Sequence, residues 1–227
     1  MKKLKQFILA LLILIIAFAG YVAIVNQNSK NMSYRQKVLK AVYPALMWFN
    51  NVTGKKSTVM ENSEGAETLG SLHDLSVHLN NGSELKLQTL KGKKILLVNT
   101  ASDCGYTHQY DDLQKLYEAN KDKLVVIGFP ANDFKEQEKG TDKEIAEFCK
   151  VNYGITFPLA VKSSVIKGVH QNEIFKWLSD ETLNGWNDQQ PSWNFCKYLV
   201  NEQGVLTNYF GASISPLNSD VLTAISR

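Results

Sequence analysis

The residues of this chain best suited to chemistry are its three cysteines, Cys104, Cys149 and Cys196. Three are too few for a disulfide scaffold, and no C-x-x-C pair is present. His73, His78, His108 and His170 show no ligand spacing with them, so no metal site is expected. Cys104 lies in NTASDCGYT (99–107), directly after the apolar run Ile95–Val98. A buried strand that runs into a helix would place Cys104 near the helix N-terminus, where unpaired amides and the dipole favour an anion. A thiol there is expected to have a lowered pKa and to react as a thiolate. An inert buried cysteine is the plainer alternative, and position alone leaves both open. Cys149 follows Ile145 and Phe148 on an i, i+3, i+4 apolar face, which implies burial.

The elements around Cys104 alternate between strand and helix. Leu75, Val77 and Leu79 alternate with polar residues, Asn81-Gly82 marks a turn, and Leu85 and Leu87 follow, which is a hairpin pattern. Ile95–Val98 and Leu124–Phe129 are continuous apolar runs of the kind found in buried strands. Tyr110, Leu113, Leu116 and Tyr117 recur at helical spacing between them. Thr141-Asp142-Lys143-Glu144 is a capping box that opens the next helix. Ile174, Trp177 and Leu178 suggest another helix. Residues 195–200 and 205–210 flank Asn201–Gly204 as a hairpin, and Ser215-Pro216 suits the cap of a last helix bearing Leu217, Val221, Leu222 and Ile225. Strands separated by helices imply parallel crossovers, and a terminal hairpin adds antiparallel strands. The expected architecture is a mixed sheet with helices on both faces.

Composition places the chain among globular proteins: 44% hydrophobic and 21% charged residues exclude wholesale disorder. Charge is unevenly distributed. Residues 1–60 hold nine Lys/Arg and no acid, leaving 25 − 9 = 16 basic against 22 acidic residues beyond them. A basic arm can bind nucleic acid. Here, however, the charges flank Phe7–Val25, an uncharged stretch long enough to cross the ~30 Å hydrocarbon core as a helix. Two readings compete, an uncleaved signal anchor and a signal peptide cut after Ala17-Phe18-Ala19. Continuation of the apolar run through Val25 favours the anchor. The short charged tail Met1–Gln6 is expected to stay inside, which puts the body on the extracytoplasmic (periplasmic) side, although Lys30, Arg35, Lys37 and Lys40 blur the charge asymmetry. Residues 33–52 read either as a helix on an anionic membrane surface or as one packed on the body, with Pro44 interrupting it. Residues 54–70 read as a polar linker. The expected division is 1–32 anchor, 33–70 membrane-proximal segment and linker, and 71–227 the catalytic domain.

Residues 71–227 resemble the glutathione peroxidase family, a branch of the thioredoxin-like fold. The resemblance rests on four blocks in order: VNTASDCGYTHQY (98–110), GFPANDFKEQEKGT (128–141), NYGITFPL (152–159) and WNFCKYLV (193–200). It implies a thioredoxin-like α/β fold with a mixed sheet flanked by helices. Cys104 stands at the reactive position, where many members carry selenocysteine. Gln137, Trp193 and Asn194 match the other members of the family's catalytic tetrad. Their amide and indole N–H groups can donate to a thiolate and to the oxygen that leaves a peroxide. Cys149 lies near the position of a resolving cysteine in some members, with a packed core cysteine as the competing account.

Ala131 and Asp133 replace the family's usual Cys and Gln in the second block. Lys139 and His108 stand where Pro is frequent, and Cys196 where Thr is frequent. His108 either tunes Cys104 or is a surface residue at a helix start. With the apolar run Phe7–Val25 read as an anchor, the resemblance implies a membrane-tethered thiol peroxidase without a cofactor. It would act on hydrogen peroxide or organic and lipid hydroperoxides, and be recycled by a thioredoxin-like protein or glutathione. Nucleic acid is not expected as a partner, and the short stretch between Leu178 and Trp193 suggests a monomer. Two rival readings on the same fold are a thiol–disulfide oxidoreductase, which the absent C-x-x-C disfavours, and a non-catalytic redox sensor.

Overall fold

The computed structural model describes residues 2–27, 29–53, 58–66, 68 and 70–227, with the side chains of 50–53 left aside. Its centre is a five-stranded mixed sheet in the order β1-β7-β6-β4-β5. Strands β4 (Lys94–Thr100) and β5 (Leu124–Pro130) pair in parallel. Both are buried along their whole length, as the apolar runs Ile95–Val98 and Leu124–Phe129 within them imply. Helix α3 (Gln109–Ala119) connects them. Strands β6 (Lys197–Val200) and β7 (Leu206–Phe210) form the antiparallel hairpin, and β6 also pairs antiparallel with β4. The front hairpin, β2 (Ser76–His78) and β3 (Glu84–Lys86), stands as a separate two-stranded sheet.

The pleat sorts side chains to opposite faces. Leu96 and Val98 of β4 join one core with Tyr110, Leu113, Cys104 and Cys149. Ile95 and Leu97 join the other with Ile127, Phe175 and Tyr198. The Thr141 capping box forms as read and starts α4 (Asp142–Tyr153), whose buried face is Ile145, Phe148 and Cys149. Helices α5 (Glu173–Leu178) and α6 (Glu181–Asn184) cover the second face, and α7 (Ser219–Ser226) the first. Gly128 leaves room for the Leu159 side chain: a Cβ there would lie 2.7 Å from Leu159 Cδ2, which would have to shift, and the Leu159 segment bridges to β5.

Four local readings differ from the structure. Val59–Glu61, inside the stretch read as a linker, forms the edge strand β1 against β7. The last helix begins after Asn218, whose side chain caps Asp220 N–H, rather than at Ser215-Pro216. A short helix, α6, lies where none was foreseen. Lastly, α2 (Tyr34–Thr53) runs through Pro44 instead of stopping there. Proline removes the donor that Lys40 C=O would otherwise meet and pushes nearby carbonyls outward. The Tyr21 hydroxyl of α1 (Lys2–Val25) donates to the adjacent Ala41 C=O at 3.2 Å.

The N-terminal half of α2 packs on the body, burying Ala41 and Tyr43. Of the two readings of this segment, packing on the body therefore describes its first half. Helix α1 contains an 18-residue stretch with a mean hydropathy of 3.0 and leaves nearly all its side chains exposed, so by length and composition it can cross a membrane.

Candidate active site

The site lies at the carboxyl ends of the two parallel strands, the usual location in open α/β sheets. Beyond β4, residues 101–108 fold into a turn held by buried Thr107. Its hydroxyl donates to Ala101 C=O at 2.8 Å and accepts from Cys104 N–H at 2.9 Å. Beyond β5, the loop 131–140 is tied to that turn twice. Asp103 N–H donates to Gln137 C=O at 3.0 Å, and Ser102 Oγ to Glu138 Oε2 at 3.0 Å. Asn132 Oδ1 accepts Glu138 N–H at 2.8 Å and closes the loop on itself.

The third piece, Trp193–Cys196, is clamped from β4 by Asn99. Asn99 Nδ2 donates to Trp193 C=O, its Oδ1 accepts Cys196 N–H, and its own C=O accepts Phe195 N–H, all within 2.6–2.9 Å. The backbone bends sharply at both approaches. Lys135 and Glu136, directly before Gln137, and Phe195, directly after Asn194, adopt positive φ. Left-handed geometry in such residues costs ~1–2 kcal/mol each, and the surrounding hydrogen bonds hold it in place.

Cys104 Sγ sits where these pieces meet, almost wholly buried. Tyr106 N–H donates to it at 3.4 Å. Burial pushes the thiol pKa up. Donation from Tyr106 N–H, Trp193 and Asn194, and the charge of Arg35, pull it back without cancelling the rise. The lowered pKa expected from a helix N-terminus is therefore corrected: α3 starts only at Gln109, and desolvation outweighs the donors.

Gln137 meets Asn194 rather than the sulfur. Its Oε1 accepts from Asn194 Nδ2 at 3.0 Å, so Gln137 and Asn194 form one buried pair whose Asn194 end faces Cys104. Phe134 packs 5.7 Å from the Trp193 ring, and Lys135 Nζ lies 5.6 Å from its centroid. The four residues Cys104, Gln137, Trp193 and Asn194 thus converge from three loops.

Cys149 lies in the interior of α4, in the same core as Cys104. Burial raises its pKa to about 12, and Tyr110 offsets only part of the rise. Cys196 is buried in β6's approach, where Tyr209 hydroxyl donates to its sulfur at 3.3 Å. His108 packs edge-on against Tyr43 of α2 at 4.9 Å, and burial, aided by Lys40, lowers its pKa to about 4, leaving it neutral. Asp133, where the family usually has Gln, accepts Ser164 hydroxyl and Val165 N–H at 2.8 Å each.

Three further residues shape the site: Asn99 and Thr107, which lie inside the first block without a role assigned by the sequence, and Arg35, which lies outside all four. Asn99 was discoverable as a polar residue closing an apolar strand. Arg35, in α2, forms an ion pair with Asp103 and donates to Asp103 C=O at 3.0 Å, while Gln36 Nε2 donates to Ser102 C=O at 2.9 Å. Helix α2 therefore roofs the cysteine loop. A cavity of about 590 Å³ opens beside it, walled by Gln36, Asp103, Gln137, Glu138, Glu144 and Phe148 among others. Burial raises Glu138 to about 7 despite its bond from Ser102. Another cavity, of about 370 Å³, is lined by Tyr106 and Trp193 together with Ser192 and Ala212. Among the described residues no cluster of His, Cys, Asp and Glu suits a metal ion.

A mixed sheet of this order, with a cysteine in the loop after the first parallel strand, defines a thioredoxin-like protein. The likeness extends to solved structures. The crystal structure of Trgpx in apo form superposes with a TM-score of 0.54 at 31% identity, covering 70% of this chain and 98% of that one. A DsbF homologue from Corynebacterium diphtheriae shares the fold alone, with a TM-score of 0.54 at 16% identity over 76% of this chain and 94% of its own.

The family model for glutathione peroxidase matches residues 72–179. Glutathione peroxidase homolog BsaA of Staphylococcus epidermidis is 42% identical over 147 residues, 64% of this chain and 92% of that protein. Glutathione peroxidase-like peroxiredoxin 2 of Saccharomyces cerevisiae is 38% identical over 160 residues, 69% of this chain and 98% of that protein. The chain belongs to the glutathione peroxidase family, and its kind is that of a thiol peroxidase.

Proposed function

We propose that the chain reduces hydrogen peroxide or organic hydroperoxides, lipid hydroperoxides included, through Cys104. The observation that carries this reading is the convergence of Trp193 and Asn194, some ninety residues away in sequence, on the Cys104 sulfur. The resting thiol is protonated because burial dominates. Ionisation on substrate entry is assisted by Tyr106 N–H, the indole and the amide. The thiolate attacks the terminal peroxide oxygen, the O–O bond breaks, and the proton lost from sulfur completes the departing water or alcohol. Cys104 becomes a sulfenic acid. Neutral donors stabilise charge as it shifts from sulfur to the leaving oxygen, with Gln137 holding Asn194 in place. Cys104→Ser in the full chain should abolish peroxide turnover, and undiminished turnover would end this assignment.

Two thiols return the sulfenic acid to the thiol, releasing water and a disulfide. Cys149 is our candidate for an internal resolving thiol: it would condense with the sulfenic acid, releasing water and forming a Cys104–Cys149 disulfide, which the two reductant thiols then reduce, leaving with a disulfide of their own. The position of Cys149 inside α4 and its high pKa mean that α4 must open locally for attack. A Cys104–Cys149 disulfide in peroxide-treated protein would point to a thioredoxin-like reductant. A mixed disulfide with a small thiol would remove Cys149 from the cycle and favour glutathione. In our reading α1 anchors the chain with the body on the extracytoplasmic side. Protease added to intact spheroplasts should then digest the body, whereas full protection would reverse the orientation.

A further inference from the structure

Strand β1 brings a residue of the N-terminal arm to the mouth of the site. Thr58 directly precedes the strand, and its C=O accepts Gly211 N–H at 2.8 Å. The pairs Val59–Phe210 and Met60–Tyr209 continue that contact, and Met60 packs against the second core. The missing side chain of Gly211 eases the approach, because a Cβ there would lie 3.3 Å from Thr58 O and 3.4 Å from Thr58 N. Thr58 thereby becomes a wall of the cavity of about 370 Å³ that Tyr106 and Trp193 also line. Both of those residues reach the reactive sulfur, Tyr106 through its N–H at 3.4 Å and Trp193 through its side chain. Gly211 and Ala212 supply further lining, and their loop is held from the core. Gln109 Nε2 donates to Ala212 C=O at 2.7 Å, and Lys197 Nζ to Ile214 C=O at 2.5 Å. The cavity is therefore preformed, as small-molecule sites usually are.

Its lining sets what it can take. Two aromatic residues stand beside small ones, and among the described residues none that lines it is charged. The larger cavity beside the cysteine loop differs, since Asp103, Glu136, Glu138, Glu144 and Glu147 all line it. An apolar group entering that acidic cavity strips water from carboxylates, whereas here it covers aromatic and methyl surface. A volume near the lower end of the ~300–1,000 Å³ range of small-molecule sites suits one aryl group or a short stretch of one acyl chain. We infer that this cavity receives the organic substituent of a hydroperoxide whose peroxide group lies at Cys104, and that Thr58 limits the size of substituent admitted. The inference rests on the reading of Cys104 as the peroxide-reducing thiol and adds a specificity-determining residue to it. Hydrogen peroxide has no substituent and leaves the cavity empty.

The test follows oxidation of Cys104 in the reduced full chain by cumene hydroperoxide and by hydrogen peroxide, quenched in acid and read by mass spectrometry as thiol lost. Thr58 is exposed, so Thr58→Trp adds bulk at the cavity without entering the core. It should slow oxidation by cumene hydroperoxide at least about tenfold and change oxidation by hydrogen peroxide less than about twofold. Thr58→Ala removes the hydroxyl and keeps the space, so its ratio of the two rates should match that of wild type. An unchanged ratio in Thr58→Trp overturns the inference. So does a ratio lowered equally in Thr58→Ala, which would assign the effect to the hydroxyl and not to size. Wild-type Cys104 that neither peroxide oxidises would remove the underlying reading, and this inference with it.

Discussion

Asn194 is the side chain whose removal most cleanly separates ionisation of Cys104 from mere packing. It is fully buried, donates to Gln137 Oε1 at 3.0 Å and helps hold the Cys104 pKa down. A hydrogen bond to a charged group contributes about 1.5–3 kcal/mol. At 1.36 kcal/mol per pKa unit, Asn194→Ala should raise the Cys104 pKa by ~1–2 units. Because burial already holds the resting thiol protonated near neutral pH, the thiolate fraction there should fall ~10–100-fold, and the rate of peroxide attack with it. The assay is iodoacetamide alkylation of Cys104 followed against pH, beside stopped-flow oxidation by hydrogen peroxide. The variant also leaves Gln137 Oε1 a buried acceptor without its donor, at about 1–3 kcal/mol, so its melting temperature should fall by about 2–10 °C. Alkylation profiles that superimpose for wild type and Asn194→Ala, with the melting temperature lowered, would show that Asn194 is structural and does not act on the sulfur.

Glu138 gives a signed pH prediction. Its folded pKa of about 7 exceeds the ordinary 4.5, so between those values the folded state keeps a proton that the unfolded state releases, and stability falls as pH rises. Glu138→Gln lacks this loss. In urea titrations it should gain about 3 kcal/mol on wild type between pH 4.5 and 7.5, and a constant difference across that range would refute the shift. Asn99→Ala frees Trp193 C=O and Cys196 N–H, each costing about 1–3 kcal/mol when buried, and should slow peroxide reduction at least tenfold while leaving Cys149 unreactive to alkylation. Lys197→Met orphans buried Gln109 Oε1 and Ile214 C=O, which its Nζ reaches at 2.6 and 2.5 Å, and should lower the unfolding midpoint in urea. Arg35→Ala removes a pair exposed on both sides, so the Cys104 alkylation midpoint should move up by less than one unit, consistent with a pair contributing at most about 1 kcal/mol.

The parts of the fold written in strong local patterns were legible. Ile95–Val98 and Leu124–Phe129 are continuous because both sheet faces are covered, and the Thr141–Glu144 box caps its helix in the structure as in the sequence. Strand β1 was not legible, because three residues carry no periodicity and their partner β7 lies some 150 positions away. Pro44 reads locally as a stop. That α2 continues depends on packing against α1 and the body, which no window of sequence contains. The site divides in the same way. The four blocks locate Cys104, Gln137, Trp193 and Asn194, but not the order in which they touch, and the expected helix N-terminus at Cys104 implied a lowered pKa where the structure raises it. Burial, a tertiary property set partly by α2, outweighs the local donors. The role of Asn99 is not legible in its own segment, because its three bonds reach a loop nearly a hundred residues on.

The most direct measurement is to titrate the reduced full chain with hydrogen peroxide and map oxidised cysteines by mass spectrometry. One equivalent should convert Cys104, found as a trapped sulfenic acid or within a disulfide, before Cys196 is touched. Oxidation of Cys149 or Cys196 by that first equivalent, with Cys104 still a thiol, would contradict its assignment as the peroxide-reducing group.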